Sequence, residues 1–166
     1  SIAIIKEIIA KNLKYNTEIG RDVILQLARD VEQVSLPILE CSPLLTNQDL
    51  ISIVHDTNNE NCLSAIARRQ DIREELSKAI VMRNFTEPTI TLFSNLSALI
   101  PESSYYFVLD HHHSNPHMIR TIASRHNLPI AVVNKIISYA SEEIKQQLLA
   151  KYPSVSPTQA EDLHYH

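Results

Sequence analysis

Apolar residues recur along this chain at the spacing that places them on one side of a helix. Ile72, Leu76 and Ile80 follow one another four residues apart, and Leu50 and Val54 show the same spacing. No apolar stretch reaches the roughly 18 residues needed to span a bilayer, so no membrane association is expected. The pattern therefore predicts a chain of short amphipathic helices.

One layout of apolar residues repeats four times, over residues 38–54, 65–81, 92–109 and 121–137. The four segments align on large apolar anchors that lie 27, 27 and 29 residues apart: Leu39, Ile66, Phe93 and Ile122. Six residues after each anchor comes a second aliphatic residue: Leu45, Ile72, Leu99 and Leu128. Each segment is predicted to form a short helix, a turn and a longer helix, which bury their apolar faces only when neighbouring segments stack.

This repeat predicts an all-α fold, an α-solenoid of short helix-pair repeats that is HEAT-like and has a period of about 28 residues. Residues 1–152 are predicted to form a single α-helical repeat domain, closed by a helix over 141–151, and residues 153–166 a linker or tail. The alternative is a plain helical bundle without true repeats. Helix-start signals agree with the repeat, because Thr46 with Asp49 resembles a capping box and Asn115 before Pro116 resembles a cap and first residue. Pro129, directly after Leu128, is expected at a first helical position.

Glycine is nearly absent, since Gly20 is the only one among 166 residues. Loops that bind phosphate in P-loop and dinucleotide-binding proteins need glycine where the backbone turns sharply or approaches the ligand. Tight hairpins favour Asn-Gly or Asp-Gly, and neither pair occurs. The composition therefore excludes both nucleotide-binding motifs and disfavours an all-β fold.

Charge and cysteine content restrict the partners and the cellular location. Fifteen Lys and Arg against nineteen Asp and Glu give a net charge of −4, so a nucleic-acid partner is not expected, although a local basic patch is compatible with it. Two cysteines are too few for a disulfide framework, and Cys41, within an apolar run, is expected to be a small core residue. A reducing, cytoplasmic location is predicted.

Short motifs follow one another in a distinctive order over about residues 15–152. They include Ala28-Arg29-Asp30, Pro37-Ile38-Leu39, Ser42-Pro43-Leu44-Leu45-Thr46, Ala65-Ile66-Ala67-Arg68-Arg69 and His126-Asn127-Leu128-Pro129. In order and spacing they resemble the bacterial helical-repeat family known as domain of unknown function 2336. The resemblance implies a cytoplasmic bacterial α-repeat protein, often the front part of a longer chain, and it assigns no catalytic residues.

An aspartate and four histidines fall within eight residues: Asp110, His111, His112, His113 and His117. Carboxylate and imidazole groups are suitable ligands for Zn, Ni or Cu. Pro116, however, keeps His113 and His117 from sharing one continuous helical face. Solvated loop histidines are therefore the preferred interpretation, a metal site is the alternative, and no cofactor is expected.

The motif Asp110-His111-His112 also resembles the Asp-His-His motif that follows a hydrophobic strand in metal-dependent phosphoesterases of that name. Those enzymes need further aspartates on other strands, including an early Asp-x-Asp element, which this chain lacks. The apolar repeat also runs through the motif, so a helix over residues 105–109 is expected and the phosphoesterase interpretation is not favoured.

Four arginines are the candidate binding residues. Arg69 and Arg125 occupy equivalent positions in their segments, and Arg68 and Arg120 lie close to them, so together they predict a basic stripe for phosphates or an acidic protein segment. The alternative is ordinary solvated arginine near helix C-termini. The third segment has no equivalent arginine, which interrupts the stripe.

The sequence contains no nucleophile motif, because its serines lack a Gly-x-Ser-x-Gly elbow and neither cysteine has a base at a motif spacing. The predicted function is therefore a non-catalytic macromolecule-binding module, with a protein-interaction scaffold favoured. A phosphate-ligand or nucleic-acid binder and a histidine metal site are the alternatives.

Overall fold

The computed structural model describes Ile4 and residues 17–155, and all regular structure in this part of the chain is helical. Ten helices follow one another within the described residues: α1 Thr17–Leu27, α2 Glu32–Cys41, α3 Asn47–Asp56, α4 Glu60–Ala67, α5 Glu74–Met82, α6 Thr86–Ser94, α7 Glu102–His112, α8 Pro116–Ala123, α9 Ile130–Tyr139 and α10 Glu142–Lys151. The same residues contain no strand. The predicted all-α class is confirmed.

The anchors of the four segments lie in the last turns of α2, α4, α6 and α8. Each is fully buried, with 0% of its surface exposed: Leu39, Ile66, Phe93 and Ile122. The helices that follow them, α3, α5, α7 and α9, begin at residues 47, 74, 102 and 130, which are 27 or 28 residues apart. The predicted burial of the anchors is confirmed.

The second aliphatic position behaves differently in the third segment. Leu45, Ile72 and Leu128 are buried as expected, whereas Leu99 is 58% exposed, so its predicted burial is wrong. The Leu99 N–H donates to the Ile72 carbonyl at 2.8 Å, and with the backbone held in this way the preceding residue, Ala98, is buried instead.

The helices form two compact units, one ending at Leu99 and the other beginning at Ile100. In the first unit α2 packs against α4, α4 against α6, and α3 against α5. In the second unit α7 packs against α9, and α8 against α10. Within each unit a helix therefore buries its apolar face against the next helix but one in the chain.

The predicted domain over residues 1–152 and tail over 153–166 stay predictions. At the start of that tail Val155 is buried. Residues 156–166 of the predicted tail lie outside the described residues.

Side chains of one helix pair bind the carbonyl ends of helices in the preceding pair. Arg69 donates to two carbonyls at the end of α2, Asn95 to two at the end of α4, and Lys151 to one just after α8, over 2.6 to 3.0 Å. The bonded residues are 26 to 30 positions apart in the sequence. These bonds satisfy carbonyls that the helices themselves leave without a donor.

Three residues in the left-handed region make turns that glycine commonly makes in other chains. They are Asp71, Asn84 and Asn127, with φ between 54° and 60°. Asp and Asn tolerate this conformation better than most residues with a Cβ. Asp71 and Asn127 each follow an anchor by five residues, so the second and fourth segments turn between their two helices in the same way.

The helix-start signals are confirmed at two positions and shifted at a third. Thr46 and Asp49 form the reciprocal capping box of α3, and the Asn115 side chain caps α8, whose first residue is Pro116. Ser141 caps the closing helix α10. Pro129, expected at the first helical position, is instead the N-cap of α9.

The capping box of α3 predicts a pH dependence of stability. Burial alone raises the pKa of Asp49, but hydrogen bonds from Thr46 and Arg21 and the Arg21 charge outweigh burial and hold the pKa below its ordinary value. A carboxyl of this kind stabilises the fold above its unfolded pKa, and the contribution is lost as the pH falls through the folded pKa. Between about pH 5 and about pH 3, we expect the wild type to lose more stability than Asp49→Asn in denaturant titrations. Parallel losses would contradict the prediction.

Candidate functional site

A groove of about 260 Å³ lies between α8 and α10 in the second unit. On the α8 side it is lined by Arg120, Ala123 and Ser124, whose spacing of three and four residues places them on one helical face. The helix begins at Pro116, whose fixed φ suits a first helical position, and Asn115 accepts hydrogen bonds from the first free N–H groups. This local chemistry fixes where α8 begins.

The α10 side of the groove is a single stripe along the helix. Ile144, Gln147, Leu148 and Lys151 line it at the i, i+3, i+4 and i+7 positions. The apolar members form the floor, since Ile144 is 7% exposed and Leu148 only 1%. The groove therefore combines an apolar floor with polar and cationic groups from both helices.

Among residues 17–155, two cations and no carboxylate line the groove. Arg120 is exposed, and no hydrogen bond or ion pair to another described residue holds its guanidinium group. Lys151 donates to the Arg125 carbonyl at 3.0 Å, and its ammonium lies 5.7 Å from the centre of the Tyr152 ring. An anionic group with an apolar neighbour matches this combination of charge and floor.

The first unit contains two of the four predicted binding arginines. Both terminal nitrogens of Arg69 donate to backbone carbonyls, to Leu39 at 2.7 Å and to Ser42 at 2.6 Å. Arg68 is exposed, and its Nε lies 3.7 Å from a carboxylate oxygen of Glu40. Arg69 thus joins two helix pairs, and Arg68 belongs to a surface ion pair.

The second unit contains the other two predicted arginines. Arg125 is buried, and its Nε donates to the Tyr105 hydroxyl at 2.8 Å. Burial raises the pKa of Tyr105, which keeps the hydroxyl neutral. Of the four arginines only Arg120 lines the groove, and a common stripe across both units stays a prediction.

Sequence reasoning missed the α10 half of the groove. The sequence predicts a closing helix over residues 141–151 and assigns it no binding role. The feature of the sequence that could have indicated this half of the groove is Lys151, which lies three residues after Leu148 on the same helical face. That Lys151 and Arg120 line the same groove follows only from the packing of α10 on α8.

The histidine cluster is partly helical, which corrects the expectation of loop histidines. His111 and His112 lie in the last turn of α7, His113 directly follows that helix, and His117 lies in the first turn of α8. His112 is half-buried, and burial together with the neighbouring His111 lowers its pKa. The cluster straddles the turn between the two helices, so His113 and His117 do not share one continuous helical face, as predicted.

Aromatic and charged partners hold the members of the cluster that lie around the end of α7. Lys135 pairs with Asp110 at 2.6 Å, and the His113 ring stacks on Tyr139 at 4.6 Å. The His111 ring stacks on its helical neighbour Phe107 at 4.0 Å. Within residues 17–155, no group of three or more His, Cys, Asp or Glu side chains is placed to hold a metal ion.

The phosphoesterase alternative requires a strand directly before Asp110, and the structure has a helix there. Tyr105 to Leu109 lie inside α7, so Asp110 and His111 extend a helix and do not follow a strand. The helix arises because Tyr105, Val108 and Leu109 are three and four residues apart and share one buried face.

Both cysteines are free thiols, and one expectation about them is wrong. Cys41 is exposed and not part of the core; it is the last residue of α2, and its thiol donates to the Pro37 carbonyl at 2.9 Å. Cys62 is half-buried, and burial raises the pKa of its thiol.

Short paired helices without a strand place the described part of the chain in the all-α class. A family model described as "Uncharacterised protein conserved in bacteria (DUF2336)" matches residues 34–164. The chain belongs to this family, as its motifs predicted. Searches of curated proteins and of solved structures find no match. None of the described helices has the length and apolar character required to cross a membrane.

Proposed function

We propose that this chain is a non-catalytic binding module, an α-solenoid of HEAT-like helix pairs with a period of about 28 residues, that holds another protein. The observation that carries the proposal is the series of side-chain bonds from one helix pair to the carbonyl ends of the pair before it. The separations of 26 to 30 residues match the sequence period. Regular stacking of this kind offers an extended surface of helix faces for a macromolecule.

The charges support a protein partner over a nucleic acid. Phosphate binding draws on free cations, whereas Arg69 is occupied by two carbonyls and Arg125 is buried beside Tyr105. The net charge of −4 adds long-range repulsion toward a polyanion. A cytoplasmic location is part of the proposal, and the two free thiols support it.

The test is cross-linking of the full-length protein in its own cells, followed by mass spectrometry of the captured molecules. We expect protein cross-links, and we expect random duplex or single-stranded oligonucleotides to bind no tighter than about 10⁻⁴ M at physiological salt. Micromolar and steeply salt-dependent oligonucleotide binding, without protein cross-links, would favour a nucleic-acid binder instead.

A further inference from the structure

The groove between α8 and α10 has a composition that selects among protein partners. We infer that it receives an acidic side chain of the partner together with an adjacent apolar side chain, an inference that rests on the proposed function. Two cations, an apolar floor and a small volume suit the groove to such a pair of side chains.

Both cations line the same groove, and the chemistry of the pair suits one carboxylate. Arg120 has a guanidinium that no other described residue engages, and a guanidinium can bind both oxygens of a carboxylate at once. Lys151 donates one hydrogen bond to the Arg125 carbonyl, so two of its three N–H groups are available beyond that bond. No acidic residue of the described part of the chain lines the groove to compete for these donors.

The floor and the volume indicate what accompanies the carboxylate. Ala123 is half-buried and Ile144 is 7% exposed, so apolar atoms of both border the cations, which favours an apolar neighbour and strengthens a charged hydrogen bond by excluding water. The groove of about 260 Å³ is below the roughly 300–1,000 Å³ of a drug-sized pocket, so it suits one or two side chains. A phosphate backbone would leave this apolar surface unused.

The probe for this inference is a library of random peptides displayed on phage and selected on the full chain. We expect enriched peptides to carry Asp or Glu next to Leu, Ile, Met or Phe. A synthetic peptide of the enriched sequence should bind Arg120→Glu and Arg120→Gln about tenfold more weakly than the wild type, or worse. Replacing its acidic residue with the amide should weaken binding to the wild type to a similar extent.

The matched control is Lys78→Glu, which makes the same charge reversal at an exposed position of α5 in the first unit. It should leave peptide binding unchanged, and thermal melts should show that all variants fold. Enriched peptides without an acidic preference, or with affinities insensitive to Arg120, would overturn the groove assignment, as would the absence of any enriched peptide. Protein cross-links that persist in Arg120→Glu cells would also overturn it while leaving the binding-module proposal intact.

Discussion

Alanine in place of Ile66 or Ile122 will lower the free energy of unfolding by about 2 to 5 kcal/mol. Both side chains are fully buried in the last turn of their helices. Ile66 lies in α4, which packs against both α2 and α6, so the lost methyl and methylene groups leave a space bounded by several helices. Ile122 lies in α8, which packs against α7, α9 and α10.

Denaturant melts of the two variants measure this loss directly. The control is Ile130→Ala, the same substitution at the start of α9, where the side chain is 42% exposed. It should cost about 0.5 kcal/mol or less, as exposed substitutions usually do. A loss below about 0.5 kcal/mol for Ile66→Ala or Ile122→Ala would show that these residues do not anchor the core.

Arg69→Ala is expected to lower the free energy of unfolding by about 2 to 4 kcal/mol, since hydrogen bonds to charged groups each contribute about 1.5–3 kcal/mol. The guanidinium joins α4 to the carbonyls of Leu39 and Ser42, and both of these residues are buried. Removing the donor leaves the two carbonyls unsatisfied where water has little access. The loss should occur without any partner present.

The neighbouring arginine is the control for this prediction. Arg68 is exposed and pairs with Glu40 over 3.7 Å, so Arg68→Ala should cost about 0 to 1 kcal/mol. Arg69→Lys keeps the charge but has no planar fork to reach two carbonyls, and an intermediate stability is expected. If Arg69→Ala unfolds at the wild-type denaturant midpoint, the guanidinium is available to a ligand and its structural role is disproved.

The sequence by itself determined the helical class, a few helix starts and the residues that anchor the core. Helix starts depend on neighbours in the chain, so Thr46 with Asp49 and Asn115 with Pro116 were recognisable before any tertiary contact was known. The anchors were equally recognisable, because a large apolar residue recurs every 27 to 29 residues. Family membership follows from the same short motifs in their order.

The tertiary structure alone decided which of these side chains meet across the repeat. Arg69 and Arg120 look alike in the sequence, yet one donates to carbonyls 27 and 30 residues earlier and the other lines a groove. Leu99 has the spacing of a core residue and is exposed, because a backbone bond to Ile72 places Ala98 inward. Periodicity reports the face of a helix, whereas the partner of that face depends on how helices far apart in the chain pack together.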